Sequence, residues 1–414
     1  MNAFIIPIGD EVLIGQITDT NSAWIAQQLN LQGISVRHAM SVSDSHDEII
    51  KAISYALSQA DVIFITGGLG PTKDDITKKA IADFLGVDMF FHEDTWIRIQ
   101  KIFEKFGRPT NEAHYNQCYM PNGVEILNNN MGTAPGMWFD FKGKVIISMP
   151  GVPSEMKYIM TNEALPRLKA RYPGSPIAHR TIMTAGTGET ELADLLSNFE
   201  DNLHSDLKLA YLPAFAQVRL RLTGRGSDEE KLHILLDEKA NEMESIVAKF
   251  AFGRDEQTLE EVIGVLLRNK KQTVATAESC TGGLISHRIT SVPGSSDYFI
   301  GSIIAYAYEA KVKHLNVSIE TLNQFGAVSE ECVKEMILGI LESMQTDYGI
   351  AISGIAGPGG GTPDKPVGTI WVAVGNKQRT ITRKLSLNRT RAINIEYASN
   401  IALIMLLNLL KTDA

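Results

Sequence analysis

Twice in this chain an unbroken apolar strand runs straight into a cluster of glycines. The first is Asp61–Thr66, DVIFIT, followed by Gly67-Gly68-Leu69-Gly70; the second is Asp347–Ser353, DYGIAIS, followed by Gly354-Ile355-Ala356-Gly357-Pro358-Gly359-Gly360-Gly361. A strand without polar alternation is buried on both faces, the environment of a parallel sheet covered by helices. Glycine at its end lets the backbone turn sharply and approach a ligand closely. Ligands of such sheets bind outside the carboxyl ends of the strands, where both clusters fall.

Around the first strand, helices alternate with strands. Ala3–Ile8 is apolar, Asn21–Leu31 has helical spacing, and Ile34–His38 reads as a second strand. Asp47–Gln59 places Ile49, Ile50, Ile53 and Leu57 on one helical face, and a further helix begins near Ile76. This alternation predicts a doubly wound α/β domain over residues 1–168. Residues 169–253 change character, with strands at Thr181–Thr184, Leu209–Pro213 and Gln217–Thr223 and amphipathic helices at Glu189–Phe199 and Asp228–Phe250. They read as a small α+β domain. Residues 254–414 form a second α/β unit, closed by a helix over Arg389–Leu410. The expected fold class is therefore α/β, two three-layer α/β domains joined by a small α+β domain.

Composition removes several classes. The 414 residues carry a formal net charge of -9, which argues against a general affinity for nucleic-acid phosphates. Arg219, Arg221 and Arg225 alternate with Val218, Leu220 and Leu222, so they read as the solvent face of a strand. Cys118, Cys280 and Cys332 are scattered, with no disulfide framework, as expected of a reducing cytoplasm. The N-terminus has no leader pattern, and the greasiest stretch, Ile401–Leu410, is interrupted by Asn408. A cytoplasmic protein with neither membrane nor nucleic acid as partner is the expectation.

The first glycine loop suits phosphate: Gly67, Gly68, Gly70 and Thr72 precede a helix start, where backbone N–H groups are free to donate. Asp74 and Asp75 add adjacent carboxylates of the kind that hold a hard divalent cation against pyrophosphate oxygens. Asp10 and Glu11 end the first strand on the same edge. The plain alternative for the pair at 74–75 is an N-cap and a first-turn carboxylate.

The C-terminal unit carries a different chemistry. Thr273–Ser286, TVATAESCTGGLIS, reads as a short buried strand, a tight polar turn and a helix start. Ser279, Tyr306 and Lys311 are the types that let a hydroxyl attack an amide without histidine. Serine needs a base, and a desolvated lysine held by a tyrosine hydroxyl is neutral enough to serve. The turn at Gly282-Gly283 supplies candidate oxyanion donors. The loop Ser353–Gly361, with Arg389 or Arg391, suits a substrate phosphate. Each residue also has a plain reading: Ser279 and Thr281 as helix caps, Tyr306 as a sheet residue, Lys311 as a surface cation.

The motifs GDEVLIG, GGLGPTKDD, GTAPG and PGVPSEM resemble the N-terminal domain of the CinA family, competence/damage-inducible protein A, itself similar to molybdopterin-binding domains. AESCTGG, AYAYEAK, SGIAGPGGG and PVGTIW resemble the family's C-terminal domain, the nicotinamide mononucleotide deamidase. The resemblance implies a Ser279 nucleophile activated by Lys311 and Tyr306, needing no cofactor. It places Thr281, Gly282, Gly283, Ser353, Gly354, Gly357, Gly360 and one of Arg389 and Arg391 on substrate. For the N-terminal domain it implies an ADP-ribose pyrophosphatase dependent on a divalent metal (Mg, Mn or Co). There Asp10, Glu11, Asp74 and Asp75 are ligands, with Gly67, Gly68, Gly70 and Thr72 on substrate. It further implies a KH-like middle segment and a homodimer. Ser353 stands where many members have threonine, and Leu387-Asn388-Arg389-Thr390-Arg391 stands where many read G-D-R. The rival expectations are a molybdopterin-binding protein whose N-terminal half is not a hydrolase, and an accessory protein of DNA uptake or repair.

Overall fold

The computed structural model describes residues 1–414 except Pro71, Lys73, Asp74, Pro173 and Ala414. The chain forms two compact units, residues 1–178 with 225–232, and residues 179–224 with 233–414.

The first unit is built on a six-stranded sheet in the order Ser35–Ala39, Asn2–Pro7, Val62–Thr66, Lys144–Met149, Gly136–Phe141, Glu125–Leu127. The first four strands are parallel and the last two antiparallel. Successive residues of a strand point to opposite faces, and here both faces are covered. Phe4, Ile6, Ile63 and Ile65 pack with Ile49 and Ile53 of helix His46–Gln59. Ala3, Ile5, Val62 and Phe64 pack with Ile25 and Leu29 of helix Thr20–Leu31. Double burial is why DVIFIT lacks polar alternation. Beyond the end of the first strand, Asp10 and Glu11 open a single helical turn, Asp10–Leu13.

The second unit holds two sheets. The smaller runs Leu207–Ala214, Gln217–Arg225, Ile177–Ala185, Ala251–Arg254. Val218, Leu220 and Leu222 are buried and Arg219, Arg221 and Arg225 exposed, as the alternation predicts. The larger runs Phe299–Ile304, Val274–Glu278, Tyr348–Gly354, Thr369–Gly375, Thr380–Ser386. Its first three strands are parallel and the last two form an antiparallel hairpin. The closing helix, Arg391–Thr412, is long and apolar enough to cross a membrane, but 72% of its apolar window is buried in the protein. It is a core helix, with Ile401, Leu403, Leu406 and Leu410 in the main cluster of this unit.

Candidate active sites

In the larger sheet of the second unit the chain leaves strand Val274–Glu278, pairs Phe299–Ile304 on one side, then crosses to Tyr348–Gly354 on the other. The end of the first strand is thus a topological switch point, where α/β sheets open a crevice. Ser279 is the first residue beyond it. Tyr306 follows the neighbouring strand on one side and the glycine loop the neighbour on the other. The ladder continues past the strand ends, with the Ser279 amide donating to the Ile352 carbonyl at 3.1 Å and the Ala305 amide to that of Glu278 at 2.8 Å. Ser279 is therefore held by backbone on both sides.

Lys311 reaches this point from helix Tyr308–Leu315 and is 1% exposed. Its Nζ lies 3.1 Å from Ser279 Oγ, 2.6 Å from the Ala305 carbonyl and 3.2 Å from the Tyr306 carbonyl. All three partners are uncharged, and burial lowers its pKa from the ordinary lysine value. A neutral amine satisfies this geometry fully. Two N–H groups donate to the carbonyls, and the lone pair meets the serine hydroxyl. The expected grip of the Tyr306 hydroxyl on this lysine is corrected. The tyrosine ring leaves the strand end toward solvent, 62% exposed, and its hydroxyl accepts from Arg391 Nη2 at 3.3 Å. Its contact with Lys311 is through the carbonyl.

Glu278, which sequence reasoning passed over, organises the turn. It is fully buried, and its carboxylate accepts from the amides of Gly283 (3.0 Å), Ile285 (3.2 Å) and Ser286 (2.8 Å). It also accepts from the hydroxyls of Thr281 (2.7 Å), Ser286 (2.8 Å) and Thr276 (3.4 Å). A charge ending an apolar strand must find partners, and the unpaired amides at the start of helix Leu284–Thr290 supply them. That carboxylate at the strand end was the available signal. The Gly282-Gly283 oxyanion expectation changes accordingly. Gly283 N–H is held by Glu278, and Gly282 N–H donates to the Ser279 carbonyl at 3.1 Å. Within the turn, the amides of Cys280 and Thr281 donate to no backbone carbonyl among the described residues, the Cys280 amide facing only its own thiol, and these are the groups left for an oxyanion.

Beyond the turn, Ser353 is buried at the end of its strand and paired with Trp371. Gly354 ends the strand half-buried, Gly357 is buried in the loop and Gly360 is exposed. Asn394, fully buried, ties this loop to the closing helix by donating to the carbonyls of Ala356 (3.0 Å) and Arg389 (2.9 Å). The two arginines separate. Arg391 Nη1 donates to the Gly357 carbonyl at 2.9 Å, whereas the Arg389 guanidinium lies over the rings of Phe215 and Tyr397 at 5.9 and 5.6 Å. Arg391 is the first residue of its helix, the end where the macrodipole disfavours a cation and favours an anion.

The first unit has its own site at the ends of strands Asn2–Pro7 and Val62–Thr66, again a switch point. A cavity of about 610 Å³ opens there, lined by Gly67, Gly68, Gly70 and Thr72 together with Glu11, Asp44 and Asp75. Gly67 and Gly68 have φ of 106° and 65°, and a Cβ on them would meet the Ile8 carbonyl oxygen at 2.3 Å and Thr77 Oγ1 at 2.0 Å. Only glycine fits. Asp75 shapes the loop, accepting from the amides of Gly70 and Thr72, both at 2.8 Å. Asp10 is exposed beside the cavity, and its amide donates to Asp44 at 3.0 Å. Asp44 is the carboxylate that the sequence reading missed. Its pKa is raised by burial and by the negative charges of Glu11, Asp10 and Asp75. Asp74 lies outside the described residues.

The molecule is thus an α/β protein that carries a lysine-paired serine in one unit and a carboxylate-lined glycine-loop cavity in the other. Family profiles match the chain end to end: "Probable molybdopterin binding domain" over residues 4–170, "Damage-inducible protein CinA KH domain" over 179–253 and "CinA C-terminal domain" over 256–410. The CinA-like protein of Cytophaga hutchinsonii is 44% identical over 393 residues, covering 95% of this chain and 94% of that one. That of Flavobacterium psychrophilum is 43% identical over 408 residues, covering 98% of both. That of Salinibacter ruber is 38% identical over 410 residues, covering 97% of this chain and 98% of its own. The chain belongs to the CinA family.

Proposed function

We propose that the C-terminal domain hydrolyses the carboxamide of nicotinamide mononucleotide to nicotinate mononucleotide and ammonia. One observation carries the reading: a lysine buried among uncharged acceptors, 3.1 Å from a serine hydroxyl at a sheet switch point. Neutral Lys311 takes the Oγ proton as Ser279 attacks the amide carbon. The oxyanion faces the amides of Cys280 and Thr281. The lysine then returns its proton to the leaving nitrogen, releasing ammonia and an acyl-enzyme. Water, deprotonated by the same lysine, attacks the acyl carbon, nicotinate mononucleotide leaves, and the lysine returns the proton to the serine oxygen. Arg391 and the glycine loop receive the substrate phosphate. The test is to incubate the folded chain with nicotinamide mononucleotide and follow ammonia and nicotinate mononucleotide together. Equal amounts support the reading; no ammonia rejects it.

The same geometry sets a pH dependence. The working base is the deprotonated lysine, and burial lowers its pKa. Activity therefore rises with pH and levels off before the ordinary lysine value is reached. A kcat/KM profile falling across pH 7 to 9 would contradict a lysine base.

For the N-terminal domain we propose metal-dependent hydrolysis of ADP-ribose to AMP and ribose 5-phosphate. The residues fit a hard divalent cation. Asp10, Glu11, Asp44 and Asp75 are oxygen donors, and the crowding of negative charge at Asp44 is what such an ion relieves. Among the described residues no three His, Cys, Asp or Glu side chains form a ready cluster. The remaining coordination then falls to phosphate oxygens and water, the usual pattern for magnesium. When bound, the ion supplies charge neutralisation at the pyrophosphate. The glycine-loop amides bind phosphate, and Asp75 keeps that loop closed. Dialysis against EDTA is expected to reduce AMP release to background, with recovery on adding Mg, Mn or Co. Release that survives EDTA contradicts the metal site. Failure of release with every metal favours the molybdopterin-binding alternative.

A further inference from the structure

Phe215 and Ala216 form the tip of the hairpin joining strands Leu207–Ala214 and Gln217–Arg225 of the small sheet. This tip is anchored on the closing helix of the C-terminal domain. Asn400, 4% exposed, donates to the Phe215 carbonyl at 3.1 Å and accepts from Gln217 Nε2 at 3.1 Å. Anchored this way, the Phe215 ring lies over the Arg389 guanidinium, with Tyr397 as the second ring. Arg389 is gripped at both ends, since its carbonyl accepts from Asn394 at 2.9 Å. The same Asn394 amide holds the Ala356 carbonyl at 3.0 Å, and Arg391 holds the next one, Gly357, at 2.9 Å. Contacts therefore run without a gap from a ring of the small domain to the loop proposed to receive the substrate phosphate.

We propose that the small domain positions the phosphate end of the deamidase site, through Phe215 acting on Arg389. The meaning of the site rests on the deamidase reading; the coupling rests on its own contacts. Two exposed arginines, Arg389 and Arg391, flank Thr390 just ahead of the helix, and either is long enough to compete for one anion. Stacking between two rings takes Arg389 out of that competition and restrains the helix start. Arg391 is left at the glycine loop. Ser279 and Lys311 are held separately, by backbone carbonyls and amides. The effect therefore belongs to substrate affinity and not to the chemical step.

The experiment uses the full chain and the variants Phe215→Ala and Phe215→Tyr. Loss of an exposed cation–π contact corresponds to a rise in KM for nicotinamide mononucleotide of about 2- to 5-fold, with kcat unchanged. Amide hydrogen exchange over residues 387–394 and 355–361 is expected to quicken in the alanine variant and to return to the wild-type rate with tyrosine, which keeps the ring. Should the alanine variant melt early, Phe215→Leu replaces it, keeping apolar bulk without the π face. Unchanged KM and exchange overturn the proposal, as does a fall in kcat alone or a tyrosine variant as impaired as the alanine one. If wild type releases no ammonia, the deamidase reading fails, while the exchange comparison still decides the coupling.

Discussion

Ser279→Ala is expected to lower ammonia release from nicotinamide mononucleotide by at least about 10⁴-fold in kcat, the scale seen when a nucleophile that works as a unit with its base is removed. The fold should not notice. The Ser279 side chain touches Lys311, whereas its amide, which carries the ladder bond to Ile352, survives the substitution. Lys311→Met completes the argument with an opposite pair of effects. Activity should fall comparably, because the serine loses its base. Stability at neutral pH should hold, the relief of a buried ionisable amine offsetting the two carbonyls it leaves without a donor. Burial lowers the pKa of Lys311, so the unfolded state binds its proton more readily than the folded state. That penalty applies below the folded pKa and fades as pH climbs toward the unfolded value. Methionine removes it at similar volume. Ammonia assays alongside melting curves at two pH values read both effects. Ser279→Ala retaining more than a few per cent of activity would exclude a serine nucleophile.

Glu278→Ala is expected to be strongly destabilising to the C-terminal domain. It strips the acceptor from three amides and three hydroxyls around a buried turn. An orphaned buried donor costs about 1–3 kcal/mol. Relaxation and water entry keep the total below the sum, so a loss of roughly 3–5 kcal/mol is expected, at the upper end for point mutants. Glu278→Gln retains one acceptor oxygen but turns an N–H₂ toward other donors, and should fall between. Urea denaturation of the three proteins ranks them. A Glu278→Ala protein within about 1 kcal/mol of wild type would show that the network contributes little. Because Ser279 is the next residue, the same variants should also lose activity, which separates them from Lys311→Met, where activity falls without stability.

The elements read correctly from the chain are those whose environment is uniform along their length. Val62–Thr66 is buried at every residue, so its apolar run leaves one interpretation. The alternation around Arg219 and Arg221 is equally plain because one face of that strand meets solvent. Asp10–Leu13 went unread, since four residues are too few to display a helical period. Edge strand Glu125–Leu127 has three residues and the same difficulty.

By itself the sequence determined the two α/β units, the glycine-loop strand ends and the types of side chain that meet there. Burial pattern and backbone conformation are local properties, and local residues declare them. Only the tertiary structure decided how those side chains divide their work. Lys311 is held beside Ser279 by two carbonyls of another strand end, and burial there lowers its pKa. The Tyr306 hydroxyl meets Arg391, and only its carbonyl meets Lys311. Glu278 takes the amide expected for an oxyanion, and Asp44 joins Glu11 and Asp75 from a distant loop. Of two arginines two residues apart, one lies over the rings of Phe215 and Tyr397 and the other donates to the Gly357 carbonyl. Each outcome depends on which group wins a limited partner at about 3 Å, and that contest is settled between segments far apart in the chain.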